Sequence, residues 1–247
     1  MTADLLISRM EDLAAFADQR GAAASRFLTP AQREQVSQYF SNRKDVRLGF
    51  DGGFEGAERT RAVFLNPEWG TCDRETLIAA FKIEYRQKDT VGHRDILGSL
   101  LGLGIERDTI GDIDAKHVPA VFVCLSEIGD FISENLTKIG RVGIQVTRIN
   151  PEVLPAKAEI MEVKNVTVAS MRLDAVVSAA YGVSRTEASR LITIGLIRYN
   201  HVVCQQQTKV VTEGAILSAR GHGRAKIIEV CGTSRKGRMI IKIGVHG

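Results

Sequence analysis

The last third of this 247-residue chain changes its apolar period once, at Gly195, from helical to alternating. Upstream, Met171-Arg172-Leu173-Asp174-Ala175-Val176-Val177 sets apolar residues at helical spacing. Ser184 with Glu187 three positions on is a capping-box pattern, which predicts the start of a second helix, and Gly195 after Ile194 is free to take the left-handed conformation that ends it. Ala188, Leu191 and Ile192 supply the inward face of that helix, which turns Arg185 and Arg190 outward. Downstream, residues 196–199 alternate, Asn200-His201 forms a tight turn because Asn tolerates positive φ, and Val202-Val203 returns. Residues 210–211, 216–220, 226–230 and 239–243 are further strand-like runs, punctuated by Gly214, by Gly221-His222-Gly223 and by glycines from Gly232 to Gly237. Two short helices followed by a small sheet is the fold this pattern permits.

Charge divides the chain at the same place. Residues 165–247 hold 12 Lys and Arg against 4 Asp and Glu, whereas residues 1–164 hold 21 against 25. A basic module of balance +8 is therefore attached to a body of balance −4, and the net +4 conceals it. Such asymmetry is the footprint of a polyanion-binding domain, because each phosphate neutralised by Lys or Arg releases condensed counterions. A solvated basic surface without a ligand is the competing reading.

The basic module resembles the S4 RNA-binding domain, or alpha-L motif. The resemblance is carried by Arg172-Leu173-Asp174, by Ser184-Arg185-x-x-Ala188-x-x-Leu191-Ile192-x-x-Gly195-x-Ile197-x-Tyr199-Asn200, by residues 210–214 and by Arg220-Gly221-x-Gly223-Arg224. Three positions depart from the motif: His201 where a turn Gly is usual, Ala215 where Asp is usual, and Gln207-Thr208 in place of Pro-Ser. The resemblance implies RNA binding by the exposed face of the two helices and the adjoining hairpin. On that face Arg172, Arg185, Arg190, Lys209, Arg220 and Arg224 are the expected phosphate contacts, and Ser184 and Thr186 add hydroxyl or backbone N–H contacts at a helix N-terminus. With few aromatics to stack bases, a structured RNA is the expected ligand and no DNA is expected.

In the body, residues 77–86 end in alternation with Phe81, Ile83 and Tyr85 on one face, and residues 93–102 carry Ile96, Leu97, Leu100 and Leu101 at helical spacing, closed by Gly102 and Gly104. Residues 110–114 and 118–124 read as strands, Ser126 as the cap of a helix through Asn135, and residues 142–147 as a fourth strand. The order is β-α-β-β-α-β, a ferredoxin-like arrangement shared by RRM-type domains. The RRM aromatic signature is absent, with Phe122 the only aromatic on the central strand, so base stacking on this sheet is not expected. The run from His93 to Ile113 resembles the middle domain of YlmH-like proteins, bacterial S4-domain proteins of similar length and domain order. Arg94 and Arg107 within it read either as RNA contacts or as partners of Asp95 and Asp108.

Ahead of this lie an amphipathic helix over residues 4–19, a second helix announced by Thr29-Pro30-Ala31-Gln32, and hairpin strands at residues 46–50 and 61–65 around Asp51-Gly52-Gly53. The expected fold class is α+β, with an N-terminal α/β domain at 1–75, a ferredoxin/RRM-like domain at 76–155 and an S4 domain at 165–247, and Pro151 and Pro155 mark the linker.

Catalytic chemistry is poorly supported. Cys72, Cys124, Cys204 and Cys231 have no C-x-x-C spacing and the histidines are scattered, so neither a metal site nor a disulfide framework is expected. Gly102-Leu103-Gly104 has Arg107 at the third glycine place of a dinucleotide fingerprint, no P-loop occurs, and no run approaches the ~18 apolar residues of a membrane span. Arg172-Leu173-Asp174 resembles the catalytic context of pseudouridine synthases, yet it falls at a helix start where Asp favours the dipole. The reading is a cytoplasmic, non-enzymatic RNA-binding protein without cofactor. The resemblance to YlmH-like proteins implies rRNA and tRNA as ligands, the large ribosomal subunit as partner and ribosome-associated quality control as process. It leaves as alternatives an interaction factor linked to cell division and, more weakly, an S4-containing RNA-modifying enzyme.

Overall fold

A computed structural model describes residues 3–86, 90–151, 154, 162–234 and 237–246. The chain forms two compact units, Met1–Ala158 and Glu159–Gly247.

The first unit opens with α1 (Ala3–Arg20), β1 (Ala22–Leu28), α2 (Pro30–Phe40), β2 (Arg47–Asp51) and β3 (Thr60–Leu65). Leu6, Met10, Ala14 and Ala17 recur at three- and four-residue spacing on α1 and pack with Val36, Phe40, Ala62 and Phe64. Thr29 caps α2 as its spacing predicts: its side chain accepts from Gln32 N, and the Gln32 side chain accepts from Thr29 N at 2.9 Å. The sheet is antiparallel in the order β1-β3-β2, so the predicted hairpin gains β1 as a third strand, in register Ala22↔Leu65.

The chain continues through α3 (Arg74–Leu77), β4 (Ile78–Glu84), α4 (His93–Gly102), β5 (Ile110–Asp114), β6 (Ala120–Leu125), α5 (Gly129–Asn135), the hairpin β7 (Lys138–Ile139) and β8 (Val142–Gly143), and β9 (Gln145–Ile149). The sheet order β5-β6-β4-β9, antiparallel throughout, is that of a ferredoxin-like domain. One face, with Ala79, Phe81, Ile83, Phe122 and Cys124, is buried beneath Ile96, Leu100 and Ile132 of the helices. Phe122 is fully buried there and stacks on Phe81 at 5.3 Å, which accounts for its being no base platform. Ser126 is not a helix cap: it opens a 3-10 turn and its hydroxyl donates to Glu75 O at 3.0 Å, while α5 begins after Ile128 without a side-chain cap. The fourth strand is broken at Ile144, whose N–H donates to Thr137 O, giving β8 and β9.

The second unit comprises β10 (Glu162–Val168), α6 (Leu173–Tyr181), α7 (Arg185–Thr193), β11 (Ile197–Tyr199), β12 (Val202–Val203), β13 (Ile216–Ala219), β14 (Gly223–Thr233) and β15 (Met239–His246). Its six strands run β10-β15-β14-β13-β11-β12, and the two helices close over them with Val176, Ala180, Ala188, Leu191 and Ile192 against Ile197, Leu217, Ala225 and Ile241. Asn200 and His201 both hold positive φ, 46° and 69°, which makes the two-residue turn of the β11–β12 hairpin. Val210 forms only an isolated bridge, to Arg172, in place of the expected strand. Pro151 is buried, whereas Pro155 of the expected linker lies outside the described residues.

Candidate nucleic-acid interface

The N-termini of α6 and α7 converge on one buried carboxylate. Arg172 is the N-cap of α6, and Asp174 sits in its first turn with a side chain only 6% exposed. Leu173 N donates to Lys209 O at 2.8 Å and Asp174 N to Gln207 O at 3.2 Å, which fixes this turn against the 206–210 segment. Asp174 then accepts Nε and Nη2 of Arg172 at 3.2 and 3.1 Å, Nε and Nη2 of Arg185 at 3.3 and 3.1 Å, and the Ala175 N–H at 2.9 Å. Burial opposes ionisation, yet the two guanidiniums outweigh it and hold the carboxyl below the usual range. The Arg172 guanidinium is held the more firmly protonated by its hydrogen bond to Asp174.

The consequence is geometric. The Arg172 and Arg185 side chains remain 41% and 53% exposed while each holds Asp174 through Nε and Nη2. Two charges from separate helices are thus fixed side by side, and one carboxylate cancels half of their sum.

Ser184 caps α7: its Oγ accepts from Glu187 N at 3.1 Å and Thr186 is exposed beside it. Only this half of the capping box forms, because the Glu187 carboxylate is taken by Arg190, whose Nε and Nη2 donate at 2.8 and 2.7 Å. That bidentate pair lowers the Glu187 pKa. Lys209 stands with its ammonium 4.9 Å from the centre of the Tyr199 ring. Arg220 is exposed at the β13–β14 turn, and Arg224, half-buried at the start of β14, pairs in register with Ser218. His222 in that turn lies 5.9 Å from the Tyr181 ring. Burial pushes the Tyr181 hydroxyl above its usual pKa, and it donates to Leu217 O at 3.0 Å.

The eight sequence-predicted residues therefore fall into three groups and a remainder at the β13–β14 turn. Arg172, Arg185, Ser184 and Thr186 gather at the paired helix starts, Arg190 pairs with Glu187 within α7, Lys209 rests on Tyr199, and Arg220 and Arg224 stand at the β13–β14 turn. Asp174 stands in the first turn of α6, as its helix-start reading expects, and sequence reasoning missed that it is also the joint between two arginines. In the first unit Arg107 does not pair with Asp108: its Nη1 donates to Ile110 O at 2.6 Å, and Asp108 is bound instead by Arg26 at 3.0 Å. Among the described residues no cluster of His, Cys, Asp and Glu has the makings of a metal site, and no helix is long and apolar enough to cross a membrane.

Comparison with known proteins places these elements. Residues 73–152 match the family described as "Putative RNA-binding domain in YlmH", and residues 171–217 match the S4 domain. The chain is 34% identical over 213 residues to the ribosome-associated protein quality control protein P2 of Bacillus subtilis, covering 85% of this chain and 82% of that one. Among solved structures, the cell division protein ylmH from Streptococcus pneumoniae aligns with a TM-score of 0.48 at 21% identity, over 60% of this chain and 87% of that one.

Proposed function

The chain belongs to the YlmH family of S4-domain RNA-binding proteins, and from that premise we propose that it acts on the ribosome in quality control, holding rRNA and tRNA on the large subunit without catalysing a reaction. The observation that carries the reading is the Arg172–Asp174–Arg185 joint, which presents two oriented guanidiniums on a module of balance +8. Guanidiniums set in this way bind phosphates without first having to be ordered. The relative's name, ribosome-associated protein quality control, supports the process. Asp174 supports a non-catalytic role, since its carboxylate is buried and its oxygens are engaged by two arginines and a backbone N–H. A cytoplasmic location follows from the proposed partner.

Sedimentation of lysate through sucrose tests this reading. The wild-type chain is expected to travel with large subunits, and Arg185→Ala/Arg224→Ala to remain at the top of the gradient. Co-migration of the double variant with large subunits at wild-type level overturns the assigned surface.

A further inference from the structure

We propose that the first unit carries a second RNA contact, a groove between the end of β4 and the β7–β8 hairpin in which Arg86 and Arg141 take phosphates of a single strand. The proposal rests on the RNA-binding reading above and adds a site on a different domain.

Both faces of the ferredoxin-like sheet are occupied. The helices cover one, as described. On the other, Ile78, Ala80, Val123 and Leu125 are buried beneath Phe27, Phe54 and Ala57 of the N-terminal segment. The cover is fitted closely: a Cβ at Gly111 on β5 would lie 2.5 Å from Val123 Cγ2 and 2.7 Å from Phe27 Cε1. It is also bonded down. The buried Asp112 accepts the N–H groups of Glu58 and Arg59 at 2.8 and 3.1 Å, and Arg59 donates to Ile110 O at 3.2 Å and to Phe27 O at 3.1 Å. The buried Arg61 bridges Ser25 O and Leu77 O. RRM-type domains lay RNA across this face. Here the covered residues have no access to a base, so an RNA contact by this domain has to use its ends and edges.

One end is built for it. The register Glu84↔Gln145 brings the residues after β4 alongside the β7–β8 hairpin, and between them lies a groove of about 800 Å³ lined by Tyr85, Arg86, Thr137, Arg141 and Gly143. Gly140 at φ 58° allows the two-residue turn that sets Arg141 at the hairpin tip. Elsewhere on this unit the exposed guanidiniums of Arg26, Arg43, Arg74 and Arg148 are tied to carboxylates, that of Arg47 to the Gly70 carbonyl and that of Arg33 lies over the Phe50 ring, while Arg20 and Arg94 are exposed singly. Among the described residues no carboxylate pairs with Arg86 or Arg141. Glu84 is, among the described residues, the one carboxylate on the groove wall, and it is bound by Lys82 at 3.1 Å. Two guanidiniums with no carboxylate partner among the described residues and a hydroxyl from Thr137 are the elements of a backbone-tracking groove.

The test is fluorescence anisotropy of the full chain with labelled oligouridylate over a salt series. Arg86→Ala/Arg141→Ala is expected to weaken binding about tenfold and, at about 0.7 per neutralised phosphate, to make the slope of log K against log salt shallower by about 1.4. Arg20→Ala/Lys44→Ala removes the same charge from exposed positions away from the groove and is the control. An unchanged slope in the groove variant, or an equal loss in the control, overturns the proposal. Arg185→Ala/Arg224→Ala in the same assay separates the two readings: weaker binding there with none in the groove variant removes the groove alone, whereas unchanged binding in both removes RNA binding by both surfaces.

Discussion

Asp174 is a small residue that holds two arginines at once, and its substitution separates charge from shape. Asp174→Asn keeps the volume but removes the anion that sets Arg172 and Arg185, and is expected to cost about 1–3 kcal/mol of stability together with RNA affinity. Because the folded carboxyl titrates below its unfolded value, its contribution is complete at neutral pH and disappears as the solution is acidified through the folded pKa. Urea midpoints of wild type and Asp174→Asn should therefore differ at pH 7 and converge well below about pH 4. Equal midpoints at neutral pH would show that the joint contributes no stability. The cysteines give a second residue-scale outcome. Burial pushes the Cys124 thiol up to about 12, whereas Cys72 and Cys231 are exposed. A colorimetric thiol titration at pH 8 is expected to modify Cys72 and Cys231 promptly and Cys124 only after denaturant is added.

At the scale of elements, the close approach of β1 to β5 is what shuts the second sheet face, and Gly111 is the position that allows it. Gly111→Val sets a branched side chain where Phe27 and Val123 already meet, and is expected to lower stability by about 1–3 kcal/mol. Thermal melting followed by circular dichroism measures this. Thr29→Ala in the same assay removes the side-chain half of the α2 cap, with an expected cost of about 1 kcal/mol. A Gly111→Val melting temperature equal to that of wild type would mean that the cover rides loosely on the sheet.

At the scale of the whole molecule, the chain combines a basic S4 unit, part of a segment of balance +8, with a larger unit of acidic balance in which Arg26, Arg43, Arg74 and Arg148 are tied to carboxylates. RNA affinity is therefore expected to follow the S4 unit first. In filter binding with tRNA, Arg172→Ala/Arg185→Ala should weaken binding across sequences and reduce the salt slope by roughly 0.7–0.9 for each phosphate that is no longer neutralised. A variant that changes preference between RNAs but not the salt slope would point to base readout at these positions instead.

Local signals in the sequence determined much of this architecture. Thr29-Pro30, Gly195, Asn200-His201 and the helical spacing of Ala188, Leu191 and Ile192 act within a few residues of chain, so the α2 cap, the end of α7, the β11–β12 turn and the buried face of α7 could all be read from them. The β-α-β-β-α-β order was legible for the same reason. What only tertiary structure decided was pairing across distance. β1 is written in alanines of little strand preference and is a strand because β3 pairs with it; β10 is a strand because β15 does. Glu187 had the spacing of a capping partner and was captured by Arg190, since a bidentate guanidinium outcompetes a single backbone N–H for a carboxylate. The joining of Arg172 to Arg185 needed the packing of α6 on α7 to bring two residues from separate helices onto one buried oxygen pair. The closing of the sheet by Phe27 and Phe54 likewise exists only once Phe27, Phe54 and Val123 share a core, for burial is a property of the assembled surfaces and no single segment encodes it.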